Sequence, residues 1–478
     1  MAAIWVCCAT AYAFVRAPYD DEWYALTVAR AHYDARWVST LGGDIHPPWV
    51  ALGDRLLGTS THAAQLLALE RVVASLVAVV VLSLVVSRRY RLSETISPLA
   101  AFHPIVFMYG ASVRWYPFLF LAQALRVYGI WGIGSRRARY FAVLSGGVLG
   151  PLVTYADIAF TGNDAIWFLL RERRRGGYYR ALGVVVGVVG LGAALFVLSP
   201  LYAQHRTIAF EAFSSLRVRG VVTWFATGLV GESFLPGAFA VVALVAPAGF
   251  FVGVRLLFTR ARTRMMAYWF ATTVTIWAVL ALRGTLQPRS RLLVWFLLTA
   301  SVWAVVRRAK WQDFAARLTL GYLAIALLLT VSQQYSVKGD LDEIPTGLCD
   351  AVRGQAEVIA PYPKTAWEIE KSCQPPQKLV SVPWQVHYGL EAGDELSGIR
   401  AAVAEAKDVS LVEVPARAGS LKPTNAAVKG AIEERCTQST VEFFGEDPHY
   451  RIKHAFEPSV TPWRFELTRY TCASRNWP

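Results

Sequence analysis

Charge is scarce in this chain. Only 17% of its 478 residues are Asp, Glu, Lys or Arg, while 55% are hydrophobic; a soluble domain carries about 25% charged residues. That balance excludes an ordinary soluble enzyme. The last third holds no G-x-G-x-x-G and no P-loop, so it gives no nucleotide signal. No C-x-x-C pair occurs among the six cysteines, which removes the usual zinc spacing. Lysine is nearly absent from one set of loops in the first two thirds, where arginine stands instead. No inverted repeat is visible.

What the chain has is apolar runs and 17 tryptophans. A membrane-crossing helix needs roughly 20 mainly apolar residues. Candidate spans lie near 2–16, 62–86, 94–111, 116–133, 140–154, 155–170, 180–199, 235–258, 265–282, 292–306 and 314–332. The pair at 140–170 reads as a helical hairpin. Charge is divided along the chain. From Tyr335 onward there are 16 Lys+Arg against 20 Asp+Glu, a net of −4, which leaves 32 of the 48 basic and 14 of the 34 acidic residues in 1–334. The overall +14 is therefore not the signature of a nucleic-acid binder. Arg88, Arg89 and Arg91, then Arg136, Arg137 and Arg139, then "RERRR" (171–175), "RLLFTRARTR" (255–264) and "RRAK" (307–310) follow every second span. Basic loops face the cytoplasm, so 17–61, 112–115, 200–234, 283–291 and the tail from 335 face the other side. The expected architecture is a polytopic α-helical membrane protein with about eleven transmembrane helices (1–334), followed by an extracytoplasmic domain (335–478). The first span is read as retained rather than cleaved, with Cys7 and Cys8 as packing residues in it.

The tail alternates strand-like runs ("AEVIA", "KLVSV", "VSLVEV", "TVEFFG", "RFELTRY") with helix-like ones ("LSGIRAAVAEAK", "NAAVKGAIEERC"). This predicts a small α/β soluble domain. Cys349, Cys373, Cys436 and Cys472 are an even number on the oxidising side, which predicts two disulfides of unspecified pairing.

The stretch "APYDDEWYALTVARAHYDARWVSTLGGDIHPPWVALG" (17–53) sets Asp20, Asp21 and Glu22 beside the first span. Carboxylates are costly in hydrocarbon, so the triplet belongs at the membrane surface. Trp23, Leu26, Ala29 or Arg30, and Tyr33 recur at helical spacing, as in an interfacial amphipathic helix. Gly42-Gly43 breaks it, and "HPPW" restarts a helix, because Pro is tolerated in a first turn. His46 and the acidic triplet can thus meet in one outer loop.

In this loop the sequence resembles membrane glycosyltransferases of the GT-C fold, in particular the group of protein O-mannosyltransferases and lipid A aminoarabinose transferases. The likeness covers 1–334. It is carried by Asp21-Glu22 with Tyr24 or Trp23, by His46-Pro47-Pro48, by Arg71, by Arg114 and Tyr116 in "ASVRWYPFLFL", and by Pro288, Arg289 and Arg291 in "LQPRSRLLVWF". Ser290 stands where the family usually has an aromatic. "VTYAD" lacks the histidine of the family's Thr-His-Tyr, leaving Tyr155 or Asp157 in its place.

The resemblance implies a donor sugar linked through phosphate to a polyprenol. A carboxylate suits a hydroxyl acceptor of very high pKa as general base, and arginine suits the phosphate that leaves. It therefore implies an inverting transferase, hexosyl or pentosyl, in the cytoplasmic (inner) membrane with its site on the periplasmic side. Asp21 is the base. Glu22 orients it, binds the acceptor or holds a divalent ion. Arg114, Tyr116 and Arg289 or Arg291 hold the donor phosphate, and His46, Tyr24 and Asp157 line the substrate. The acceptor is a cell-envelope glycan, lipid or protein. No cofactor is required by the sequence, and a divalent ion (Mg, Mn or Zn) has Glu22 and His46 as candidate ligands. Asp20 reads as a solvated neighbour, Arg71 as an ion pair with Glu70, and His103 as a satisfied core histidine. The rival readings are a flippase or transporter for lipid-linked saccharides, an oligosaccharyltransferase, for which no W-W-D-Y-G element is present, and a non-catalytic scaffold.

Overall fold

The computed structural model describes residues 2–15, 63–90, 92–93, 97–154, 157–197, 291–306, 344–362, 378–382, 396–414, 418–446 and 461–473, with shorter pieces between 268 and 394. The first outer loop and the expected span at 235–258 lie outside the described residues. The described residues fall into two compact units, one helical and one built on a sheet.

The helical unit contains α1 (Ala2–Val15), α2 (Ala63–Tyr90), a 3-10 turn (Ser97–Phe102), α3 (Pro104–Gly110), α4 (Tyr116–Trp131), α5 (Arg136–Val153), α6 (Asp157–Arg173), α7 (Tyr178–Val197) and α8 (Leu292–Val306). Among the described residues, one helix is long and apolar enough to cross a membrane, over Gln65–Arg88; Ala2–Phe14, Tyr178–Gly192 and Leu292–Ala304 are shorter apolar helices. The α2 helix is apolar on both faces, with Leu67, Val72, Val79, Leu82 and Val86 buried. Leu66, Leu69, Val73, Val77, Val80 and Leu84 form an exposed stripe, while Arg71, Ser75, Ser83 and Ser87 are buried. Water would favour the opposite arrangement; lipid favours this one.

Two expectations are corrected. The span at 94–111 is not one helix. His103 is extended (φ −56°, ψ 131°) between the 3-10 turn and α3, because a residue before proline is driven out of the helical region, and Pro104 follows it. Cys7 and Cys8 are exposed on α1; Trp5 and Ala9, one turn apart, are the residues turned inward, and Trp5 Nε1 donates to Ala101 O at 3.0 Å.

The expected hairpin is present as α5 and α6. Ser135 caps α5 by accepting from the Ala138 N–H at 3.2 Å. Asp157 opens α6 and Arg171 and Arg173 close it, the charge order that a helix dipole favours. Arg171 Nη2 donates to Gly132 O at 2.9 Å, tying the end of α6 to that of α4. At the same end, buried Glu172 accepts from Arg139 Nη1 at 2.8 Å and from the Tyr140 hydroxyl at 3.2 Å.

The sheet unit holds α9 (Thr346–Val352), β1 (Glu357–Ile359), β2 (Lys378–Val380), α10 (Ser397–Glu405), β3 (Asp408–Glu413), α11 (Ala418–Glu433), β4 (Cys436–Glu446) and β5 (Trp463–Cys472). The strand order is β2-β1-β3-β5-β4. The β1 strand pairs in parallel with β2 and β3, and β5 runs antiparallel between β3 and β4. Both faces are covered, and β3 is accordingly buried continuously from Val409 to Val412. Val409, Leu411 and Tyr470 pack with Ile399, Val403, Val428 and Ile432, while Val412, Phe465 and Leu467 pack with Leu348 and Val352. All five strand-like runs and both helix-like runs of the sequence are present; α9 is additional. Disulfides join Cys349 to Cys373 and Cys436 to Cys472, the second across paired positions of β4 and β5.

Candidate functional site

The helical unit buries four opposite charges together. Arg126 on α4 is 1% exposed, Asp157 and Asp164 on α6 are 1% and 2%, and Arg291, just before α8, is fully buried. Ionisable residues at such depth are costly and mark function by default. Their bonding is unequal. Every guanidinium nitrogen of Arg126 is engaged: Nη1 and Nη2 grip Asp157 at 2.6 and 2.9 Å, Nε donates to Asp164 at 2.8 Å, and Nη1 also donates to Gly146 O at 3.0 Å. The Thr161 hydroxyl donates to Asp157 at 3.1 Å and that of Tyr268 to Asp164 at 3.1 Å. Arg291 stands beside this network with none of its three guanidinium nitrogens in a hydrogen bond among the described residues. Its Nη1 is 3.8 Å from Asp157 Oδ1, and its Cζ lies 3.5 Å from the Phe160 ring centroid. A buried donor left unpaired costs about 1–3 kcal/mol, more when charged. Among the described residues the arrangement leaves the hydrogen-bonding capacity of this cation unspent, which suits an oxyanion.

Glycine lets the helices approach this closely. A Cβ on Gly146 of α5 would overlap Ala122 O, and one on Gly150 would overlap the Asp157 carboxylate and stand 2.7 Å from Arg126 Nη1. A narrow cleft between α4, α5, α6 and α7 reaches Arg126, Thr161 and Asp164.

A second neighbourhood surrounds Arg71 on α2. Its guanidinium pairs with Glu70, as expected, but Nε also donates to the Arg114 carbonyl at 3.2 Å and the group lies 4.4 Å from the Phe118 ring. Arg71 thus braces the turn that carries Arg114. The Arg114 N–H donates to Ser112 Oγ at 3.1 Å, and Ser75 Oγ donates to Gly110 O at 2.7 Å. Tyr116 is buried against Trp115 and Tyr109, at ring distances of 4.3 and 5.4 Å. His103 is not satisfied as expected. It is buried and stacks on Trp295 at 5.4 Å, and neither ring nitrogen has a hydrogen-bond partner among the described residues.

Of the site residues read from the sequence, the structure brings Asp157 and Arg291 together, sets the Arg114 carbonyl on Arg71 and buries Tyr116 against Trp115 and Tyr109. Asp21, Glu22, Tyr24, His46 and Arg289 lie outside the described residues. Sequence reasoning missed Arg126 and Asp164. The signal was there: each is a lone charge inside an apolar run, "FLAQALRVYGI" and "FTGNDAIWF". Among the described residues no three His, Cys, Asp or Glu side chains could share a metal ion.

No protein-family model matches the chain, and no curated protein does. Among solved structures the chain is similar to ArnT from Cupriavidus metallidurans bound to undecaprenyl phosphate, at 14% identity and a TM-score of 0.45, over 100% of this chain and 99% of that one. It is similar to the apo state of the same protein at 12% identity and a TM-score of 0.40, over 98% and 97%.

Proposed function

We propose that this chain is a membrane glycosyltransferase that moves a sugar from a polyprenyl-phosphate donor to an acceptor hydroxyl of a cell-envelope glycan, lipid or protein. The observation that carries the reading is Arg291: a fully buried guanidinium whose donors are unspent among the described residues, inside a unit whose α2 helix turns an apolar stripe outward. A phosphate on a lipid tail is the anion that can reach such a place from within a bilayer. In this reading 1–334 is the transferase domain, 17–61 its catalytic outer loop and 335–478 an extracytoplasmic domain.

Asp21 takes the proton from the acceptor hydroxyl, the oxygen attacks the anomeric carbon, and the bond to the phosphate oxygen breaks, with inversion. The leaving phosphate gains charge, and Arg291, with Arg289 and Arg114, neutralises it through charge-assisted hydrogen bonds. Glu22 orients the base and His46 and Tyr24 line the sugar and acceptor, while Asp157, whose two oxygens are held by Arg126, stands behind them as a positioning carboxylate. Glu22 and His46 are the candidate ligands of a divalent ion.

The test uses membranes carrying wild type, Asp21→Asn or Arg291→Gln, a panel of labelled polyprenyl-phosphate sugars and envelope extract. Transfer of label by wild type and its loss in both variants is the expected result. Movement of intact donor across vesicles without transfer would replace the enzyme by a flippase. Equal transfer by Asp21→Asn would remove Asp21 as base, and EDTA added to wild type reads the metal dependence.

A further inference from the structure

Arg126 and Arg291 share one carboxylate but use it differently. Arg126 holds both oxygens of Asp157 at hydrogen-bonding distance. Arg291 lies 3.8 Å from the nearer one, outside that distance. A movement of about 1 Å would bring Asp157 to the usual 2.7–2.9 Å of a charge-assisted bond with Arg291. The bidentate clamp prevents it, aided by the Thr161 hydroxyl on Oδ2 and by the Gly146 carbonyl that fixes Arg126 itself. From this geometry we infer that Arg126 is a positioning residue that holds Asp157 away from Arg291 and so keeps Arg291 open to a phosphate. Without the clamp, Asp157 becomes the anion that occupies the place of the ligand. The inference rests on the reading of Arg291 as the phosphate-binding cation. It differs from a general structural role for Arg126 in one respect: removing the carboxylate as well as the clamp restores binding.

The experiment measures binding of a long-chain polyprenyl phosphate, which carries no sugar, to the full chain in mild detergent. Wild type is compared with Arg291→Gln, Arg126→Gln, Asp157→Asn and the double variant Arg126→Gln/Asp157→Asn, and thermal unfolding of each reports its folding. Coupling energies between contacting groups run to about 0.5–3 kcal/mol, or about twofold to 150-fold in a constant. Arg126→Gln is accordingly expected to bind about tenfold or more weakly, and the double variant to return within about threefold of wild type. Asp157→Asn alone retains binding and Arg291→Gln loses it. If Arg126→Gln does not fold, Arg126→Lys takes its place; it keeps the charge but not the two-point grip, and its weaker binding is likewise recovered by Asp157→Asn. Wild-type affinity in the Arg126 variant would overturn the inference and leave Arg291 in its role. So would a folded double variant that binds no better than the single one. Wild-type affinity in Arg291→Gln, or no binding by wild type, would remove the phosphate site itself and the inference with it.

Discussion

Replacing Gly150 by alanine sets two effects against each other. Alanine in a helix gains up to about 1 kcal/mol over glycine, through a smaller loss of backbone entropy on folding. At Gly150 the added Cβ would overlap the Asp157 carboxylate and stand 2.7 Å from Arg126 Nη1. These atoms are the ends of side chains, but they are not free to yield, since Arg126 makes four bonds and Asp157 accepts three. Overpacking costs about 1–3 kcal/mol, and breaking a buried ion pair about 3–5 kcal/mol. Partial loss of the clamp therefore outweighs the helix gain, with a net destabilisation of about 2–4 kcal/mol. Gly162, in α6 of the same hairpin, is the control: among the described residues a Cβ there meets nothing within 4 Å, and Gly162→Ala should stabilise by about 0.5–1 kcal/mol. The assay is thermal unfolding of the full chain in mild detergent. If Gly150→Ala proves as stable as Gly162→Ala, the close approach of α5 to the Arg126–Asp157 pair is wrong.

Three other predictions concern separate parts of the chain. Glu413 faces Glu466 across β3 and β5; burial first, then the charge of Glu466, raises its carboxyl from 4.5 to about 7, with Glu433 adding to the rise and Lys429 opposing it. The folded-state value is above the unfolded one, so folding binds a proton and the sheet unit loses about 2–3 kcal/mol between pH 4.5 and pH 7. Hydrogen exchange of β3 and β5 in the full chain should show this loss beyond the intrinsic pH effect, and Glu413→Gln should abolish it; an unchanged pH dependence would refute the assignment. Glu172→Gln leaves Arg139 buried without its counter-charge and is expected to destabilise the α5–α6 hairpin by about 3–5 kcal/mol, read as faster local exchange there; exchange at the wild-type rate would contradict it. Val77→Asp places a charge in the exposed stripe of α2, at a membrane-insertion cost of about 2.5–3.5 kcal/mol. The integrated fraction surviving alkaline extraction should fall, and unchanged integration would argue against α2 facing lipid.

The elements that the sequence disclosed are those fixed by local pattern. The α8 helix begins and ends where its apolar run does, at Leu292 and Val306, and the five strand-like runs of the tail follow period-two or buried-strand patterns that survive in β1 to β5. The break at His103 was legible in principle, because Pro104 forbids a continuous helix there, but hydropathy alone reads through it. Asp157 and Arg291 were legible as separate candidates. Their meeting was not, since it joins residues 134 positions apart. Arg126 and Asp164 escaped because a single charge inside an apolar window hardly moves a hydropathy average, although it is the charge, and not the average, that carries the chemistry. The side of the sheet unit on which Glu413 and Glu466 meet depends on strand register, which hydrophobic alternation leaves undetermined where a strand is buried on both faces.

The two disulfides give the chain a built-in reporter of its own topology. Four of its six cysteines are silent to a thiol reagent while Cys349–Cys373 and Cys436–Cys472 are closed, leaving Cys7 and Cys8 to react. Such bonds persist only in an oxidising compartment. A chain denatured without reductant and then labelled therefore records, in its stoichiometry alone, the side of the membrane on which its sheet unit matured. Two labels per chain, rising to six after denaturation and reduction, mark a unit that was exported. Six from the start mark one that never left the reducing side.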